Sequence, residues 1–284
     1  MRRNAATTVP ALAVLVVLLG ACLPAQDPSG APGSVLAAIR DPTNGDARDF
    51  SWHRTPATTP GRNLTLAFLP ARDAPGRDHS IMIVPGTGGP GRQHLELARR
   101  YADRGFDVGV ACFYAPAPRA VQWGIGFPCY NAPSYTGQSD MAARDLSALV
   151  VAMHRLPGQR TRTIGLVGHS RGGGTVAVRA SLGHREPIVI ASGLLTYPIW
   201  LGHFPGEVMP FHRAGRIRAP QLVWHQAHDP LTTLDQAGWY AFAMELHGRP
   251  TTYRVDPGSA HDFPFLDEQE EFVDVTSAWL HARL

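Results

Sequence analysis

An alternation constrains this chain more than any other feature. Short apolar runs at 64–69, 80–84, 108–113, 163–167, 188–191, 221–225 and 251–255 are bounded by Gly or Pro and separated by longer stretches. Runs of this length and composition are read as strands buried on both faces. Helical patterns lie between them. In 139–154, Ala142, Leu146, Leu149, Val150 and Met153 recur at helical spacing and share one face. Gly105 follows a helix expected at 93–104, where a left-handed residue is needed. The last helix opens with Asp267, Glu268, Glu270 and Glu271 and ends with His281 and Arg283, which complements its dipole. Its expected buried stripe is Phe272, Val273, Trp279 and Leu280. Alternation of this kind predicts an α/β fold, a mostly parallel sheet covered by helices on both faces. Neither an internal repeat nor a second domain is visible, and the folded domain is expected to span 46–284.

Composition narrows the function. All 26 cations are Arg; no Lys occurs. A P-loop Lys, a Schiff-base Lys and a Ser-x-x-Lys pair are therefore excluded. Removing Arg2 and Arg3, which belong to a segment read below as a cleaved signal, leaves 24 cations against 23 Asp plus Glu. So neutral a chain carries no electrostatic footprint for nucleic acid.

The N-terminus reads as an address. Arg2 and Arg3 precede an apolar stretch at 9–19, shorter than the roughly 20 residues needed to span a bilayer but suited to a signal peptide. Leu19-Gly20-Ala21-Cys22 follows and resembles the lipobox of bacterial lipoproteins, in which cleavage precedes a Cys that carries diacylglycerol. Residues 1–21 are thus expected to be removed, with Cys22 lipidated, 22–45 forming a Pro- and Gly-rich tether, and the protein held at a membrane. The competing reading is cleavage after Leu23-Pro24-Ala25, giving a soluble periplasmic or secreted protein. With Cys22 assigned, Cys112 and Cys129 remain, and an even pair in an exported protein reads as a disulfide. By loop entropy it would be worth about 3 kcal/mol. Two free thiols are the alternative, with Cys112 buried at a strand end.

The chemistry is concentrated at strand ends. Gly168-His169-Ser170-Arg171-Gly172 follows the run 163–167 and precedes a helical run at 175–182. Strand before and helix after is the context of a nucleophile elbow, a tight turn exposing the Ser170 hydroxyl above the sheet. Asp229 follows the run 221–225, and His261 lies in the loop after 251–255, giving the order Ser, Asp, His. In that order His261 would take the Ser170 proton and Asp229 would hold the imidazole. The loop Pro85-Gly86-Thr87-Gly88-Gly89-Pro90 follows the run 80–84, and the backbone N–H of Thr87 can join that of Arg171 in an oxyanion hole. His169 is expected to be a packing residue, bonded locally and turned away from Ser170.

These motifs together resemble the α/β-hydrolase superfamily from about Leu64 to Leu284. The elbow Gly-His-Ser-Arg-Gly-Gly-Gly, the Pro-Gly-Thr loop and Gly258-Ser259-Ala260-His261 are each similar to motifs of its dienelactone-hydrolase-like and polyester-hydrolase-like branch. The resemblance implies an α/β-hydrolase fold with a small cap at about 193–219. It also implies Ser170 as nucleophile, Asp229 as acid and His261 as base, with the Thr87 and Arg171 amides forming the hole. Dienelactone hydrolases proper carry Cys as nucleophile, so their lactone substrate does not transfer to this chain. The expected activity is hydrolysis of a small-molecule carboxylic ester, with no cofactor and no metal. Acyl transfer, thioester or peptide cleavage and cofactor-free perhydrolysis would use the same triad, and an inactive binding lipoprotein would keep the fold alone.

Two further groups invite a reading. His225 and His228, beside Asp229 and His261, could be drawn as metal ligands, although the triad already explains two of the four. Trp123, Phe127, Tyr130 and Tyr135, in the long segment 114–138, together with Trp200 and Phe204 of the cap, are candidates for a substrate pocket or for simple loop packing.

Overall fold

The computed structural model describes residues 37–38, 47–72, 79–112, 140–156, 163–196, 208–266 and 269–284. Cys22, Cys129 and the six aromatic pocket candidates lie outside them, as does most of the tether. Among the described residues one sheet runs through the molecule. Its strands are β1 (Ala37–Ala38), β2 (Ser51–Pro56), β3 (Asn63–Leu69), β4 (His79–Val84), β5 (Phe106–Cys112), β6 (Ile164–His169), β7 (Ile188–Ala191), β8 (Gln221–Gln226) and β9 (Thr251–Asp256). Their spatial order is β1-β2-β3-β5-β4-β6-β7-β8-β9. From β5 to β9 every neighbouring pair is parallel, whereas β1, β2 and β3 add an antiparallel edge. The seven strands read from the sequence all form, within two residues of their expected ends.

Two layers of helix bury the sheet. Helices α2 (Asp140–His154), α3 (Arg171–Ser181) and α4 (Leu234–Leu246) cover one face, and α1 (Arg92–Ala102) and α5 (Gln269–His281) the other. All five apolar residues assigned to the face of α2 are buried. The stripe of α5 differs from expectation. Thr276 and Ser277 are buried beside Phe272, Val273 and Leu280, while Trp279 is only half-buried, with the Arg283 guanidinium 4.2 Å over its ring. Gly105 does adopt the left-handed conformation, φ 87°, three residues after α1 ends. A 3₁₀ helix, Pro210–Arg216, lies within the expected cap and packs on α3 and α4.

A belt of arginines fastens α1 to its surroundings. Arg99 holds Asp49 through Nε at 2.8 Å, Arg104 binds Glu270 and Asp274 of α5 at 2.7 Å each, and Arg100 also pairs with Glu270. These pairs are half-exposed, so each is worth little alone.

Among the described glycines, the tightest approach of backbone to backbone is at the start of α3. A Cβ on Gly168 would stand 2.7 Å from the Gly172 carbonyl oxygen, and one on Gly172 would overlap the Val84 carbonyl oxygen at the end of β4. Only hydrogen fits, so strand β6 can turn directly into α3. The helix therefore begins at Arg171, four residues before its periodicity becomes visible in the sequence.

Gly172→Ala is accordingly expected to destabilise the protein by about 3 kcal/mol or more, since backbone must move to admit the methyl. Gly238→Ala, inside α4 with nothing within 4 Å of the new Cβ, should stabilise by about 0.5–1 kcal/mol. Denaturant unfolding of the two variants beside wild type measures both.

Candidate active site

The C-terminal edge of the parallel strands gathers the three residues expected to carry the chemistry. Ser170 occupies the turn between β6 and α3 at φ 53°, ψ −123°, a strained conformation for a residue with a side chain. Its backbone is clamped: the Ser170 N–H donates to Ala191 O at 3.0 Å, and the Leu194 N–H donates to Ser170 O at 2.9 Å. The adjoining turn after β7 is strained too, with Ser192 at φ 44°.

Asp229 follows β8 and is buried, 3% exposed. Its Oδ1 accepts the N–H groups of Leu231 and Thr232 at 2.8 and 3.0 Å, and the Thr232 hydroxyl reaches Oδ2 at 2.9 Å. His261 completes the cage, with Nδ1 2.8 Å from Oδ2 and 3.1 Å from Oδ1. A carboxylate only accepts, so Nδ1 carries the hydrogen of this contact. Burial pushes the Asp229 carboxyl up. The His261 N–H and the Thr232 and Leu231 amides pull it down further, so it stays ionised well below the usual carboxylate range. Beneath this turn, buried His225 bonds through Nε2 to the Thr232 carbonyl.

His169 departs from expectation. Its contact is not local: Nε2 donates to the His261 carbonyl at 3.0 Å, with Asp262 Oδ1 at 3.3 Å. The rings of His169 and His261 stand 5.0 Å apart. Burial, reinforced by the charge of His261, lowers the His169 imidazole to about 4, so it is neutral at pH 7. The residue before Ser170 thus ties the elbow to the loop carrying His261.

The loop after β4 arrives from the other side. Its Gly86–Gly89 turn is closed by Gly89 N–H on Gly86 O at 3.0 Å and leaves Thr87 exposed. A Cβ on Gly86 would sit 3.0 Å from Ser170 Cβ and 3.4 Å from Oγ. The loop therefore runs alongside the Ser170 hydroxyl. Arg171 opens α3, so its amide belongs to the helix N-terminus that favours negative charge at this spot.

Of the residues drawn as a metal cluster, Asp229 has both oxygens, His261 its Nδ1 and His225 its Nε2 held as above, while His228 is exposed. One described group, His169, His261 and Asp262, has potential ligand atoms within 4.8 Å of one another. His169 Nε2 and His261 Nδ1 are already bonded to protein. Cys112 is in a disulfide whose partner lies outside the described residues. Thr232 and the bridge from His169 escaped sequence reading. For Thr232 a signal existed, because Asp-x-x-Thr is the spacing at which a carboxylate caps its own turn.

No family profile matches the sequence, and no curated protein matches it. Solved structures do. A putative dienelactone hydrolase from Klebsiella pneumoniae subsp. pneumoniae aligns with TM-score 0.63 and 16% identity over 83% of this chain and 99% of that one. A thermostable carboxyl esterase from Bacillus coagulans aligns with TM-score 0.62 and 12% identity over 82% and 98%. The Pyrococcus horikoshii acylaminoacyl peptidase aligns with TM-score 0.63 and 14% identity over 84% of this chain but 42% of its own. With the strand order above, these similarities define an α/β-hydrolase fold.

The caged carboxylate generates a prediction about acid. Because the Asp229 pKa is lower in the folded than in the unfolded chain, ionised Asp229 stabilises the fold above about pH 4, and that contribution is lost as pH falls through the folded value. Asp229→Asn should therefore cost stability at pH 7, and the gap from wild type should shrink on acidification. Urea unfolding of both proteins at pH 7 and pH 3 tests this; a gap that widens at pH 3 contradicts it.

Proposed function

We propose that this protein is a serine hydrolase that cleaves a small, uncharged carboxylic ester through an acyl-enzyme. The observation that carries the proposal is the Asp229–His261 pair, 2.8 Å apart on a buried, fully accepting carboxylate and tied through His169 to the strained elbow of Ser170. In this reading Ser170 Oγ attacks the carbonyl while His261 Nε2 takes its proton. Asp229 stabilises the imidazolium without itself accepting a proton. The carbonyl oxygen, now anionic, is held by the amides of Thr87 and Arg171. Collapse of the tetrahedral intermediate expels the alcohol, protonated by His261. Water activated by the same imidazole then releases the acid. The aromatic residues at 123–135 and in the cap, Trp200 and Phe204, are proposed to supply the walls for acyl or alcohol.

The export reading belongs to the same proposal: cleavage before Cys22, diacylglycerol on its thiol, and a tether at 22–45. Among the described residues no helix is long and apolar enough to cross a membrane. The oxidised state of Cys112 supports an oxidising compartment, with Cys129 as its proposed partner.

A fluorophosphonate probe and short p-nitrophenyl esters test the chemistry. Wild type should label and turn over; Ser170→Ala should lose labelling and fall in kcat by about 10⁴-fold or more. Labelling that survives Ser170→Ala refutes the assignment of the nucleophile. For the anchor, Cys22→Ser is expected to move the protein from the membrane fraction to the soluble fraction of the exporting cell. Unchanged fractionation sinks the lipid anchor.

A further inference from the structure

Helix α4 is apolar on both sides. Gln236, Ala237, Tyr240, Ala243 and Met244 face the core, yet Trp239, Phe242 and Leu246, at helical spacing on another face, are 60%, 55% and 70% exposed. The Trp239 and Phe242 rings meet edge to face with centroids 6.4 Å apart. Ordinary surface helices place charge on such a face.

The neighbouring strand has a matching deficiency. β9 ends the sheet, so its outer row of backbone groups faces no further strand among the described residues. Its two faces differ. The parallel register aligns Thr251 with Gln221 and Arg254 with Trp224. Gln221 touches Tyr240 and Met244 of α4, so Thr251, Tyr253 and Val255 share the α4 side. On the opposite side Arg254 lies 3.8 Å over the Trp224 ring and pairs with Glu271 of α5, which covers that face. On the α4 side Tyr253 and Val255 remain 36% and 39% exposed.

We propose that a second copy of this chain covers this surface, with β9 pairing antiparallel to its own copy across a two-fold axis perpendicular to the sheet. That single operation meets both deficiencies. It extends the sheet through the dimer and keeps both copies of α4 on the same face, side by side and antiparallel. Trp239, Phe242 and Leu246 of each helix then meet above Tyr253 and Val255. A free strand edge of six residues is a template for another strand, and a two-fold pairs a strand with itself in the commoner, antiparallel sense. A lipid surface would cover the apolar side chains but leave the strand edge without a partner. With aromatic side chains contributing about 150–250 Å² each when fully exposed, the patch offers on the order of 500 Å² of apolar surface. That is the share expected for the apolar part of a standard interface burying about 800 Å² per partner.

The test uses the Cys22→Ser chain, in which no acyl group can hold copies together. Sedimentation velocity over a concentration series should show a reversible monomer–dimer equilibrium. The further change of Phe242 and Leu246 to Glu should weaken it at least about 10-fold while circular dichroism and melting stay those of a folded protein. Hydrogen exchange should show β9 amides gaining protection as concentration rises. A chain that stays monomeric at about 100 μM overturns the proposal. So does a dimer that survives both substitutions with β9 exchange unchanged, because its contact then lies elsewhere. Monomers that instead bind phosphatidylglycerol vesicles through Trp239, seen as a blue shift of emission, would assign the patch to a lipid surface and also overturn it.

Discussion

The candidate site depends on one close approach, the backbone of Gly172 against the carbonyl of Val84. Because no Cβ intervenes, α3 can start one residue after Ser170 and press its N-terminus against the end of β4. That contact fixes three things together: the strained φ of Ser170, the aim of the helix dipole, and the placement of the Gly86 loop beside the hydroxyl. The strain is sustained by neighbours, since β7 and the turn after it hold Ser170 on both its amide and its carbonyl.

A second layer of order surrounds the charge. Asp229 is kept ionised inside the protein because its acceptor sites are filled by amides, a hydroxyl and an imidazole. His169 and His225 are neutral by burial and serve as donors to carbonyls, one to His261 and one to Thr232. Two buried imidazoles thereby hold the two loops that bring base and acid together, and neither adds a competing positive charge near His261.

The parallel core was legible in the sequence because its strands are short apolar runs between glycines and prolines, and the placement of Ser170, Asp229 and His261 after strand ends was legible because each follows such a run. What escaped has physical reasons. Strand β2, Ser-Trp-His-Arg-Thr-Pro, lies toward the sheet edge with a mixed burial pattern, so neither alternation nor continuous hydrophobicity marks it. Strand β9 was read as doubly buried but is half-exposed at the other edge. The first turn of α3 is three glycines, poor helix formers placed there by the close approach. Helix α4 has apolar residues on opposite faces, which erases the periodicity that betrays a helix. The bridge from His169 joins residues 92 apart in sequence, and no local pattern encodes it.

The arginine belt between α1 and α5 carries a different implication. A lysine in those positions would surrender its proton in alkaline solution and let the carboxylates go. Guanidinium has no accessible proton to lose, so Arg99, Arg100 and Arg104 remain charged partners of Asp49, Glu270 and Asp274 at any alkaline pH the backbone survives. The same absence of lysine leaves no side-chain amine anywhere on the chain. Apart from the N-terminal amino group it therefore offers no target to acetylating, glycating or aldehyde reagents that act on amines, and the packing of α1 against α5 is indifferent to them.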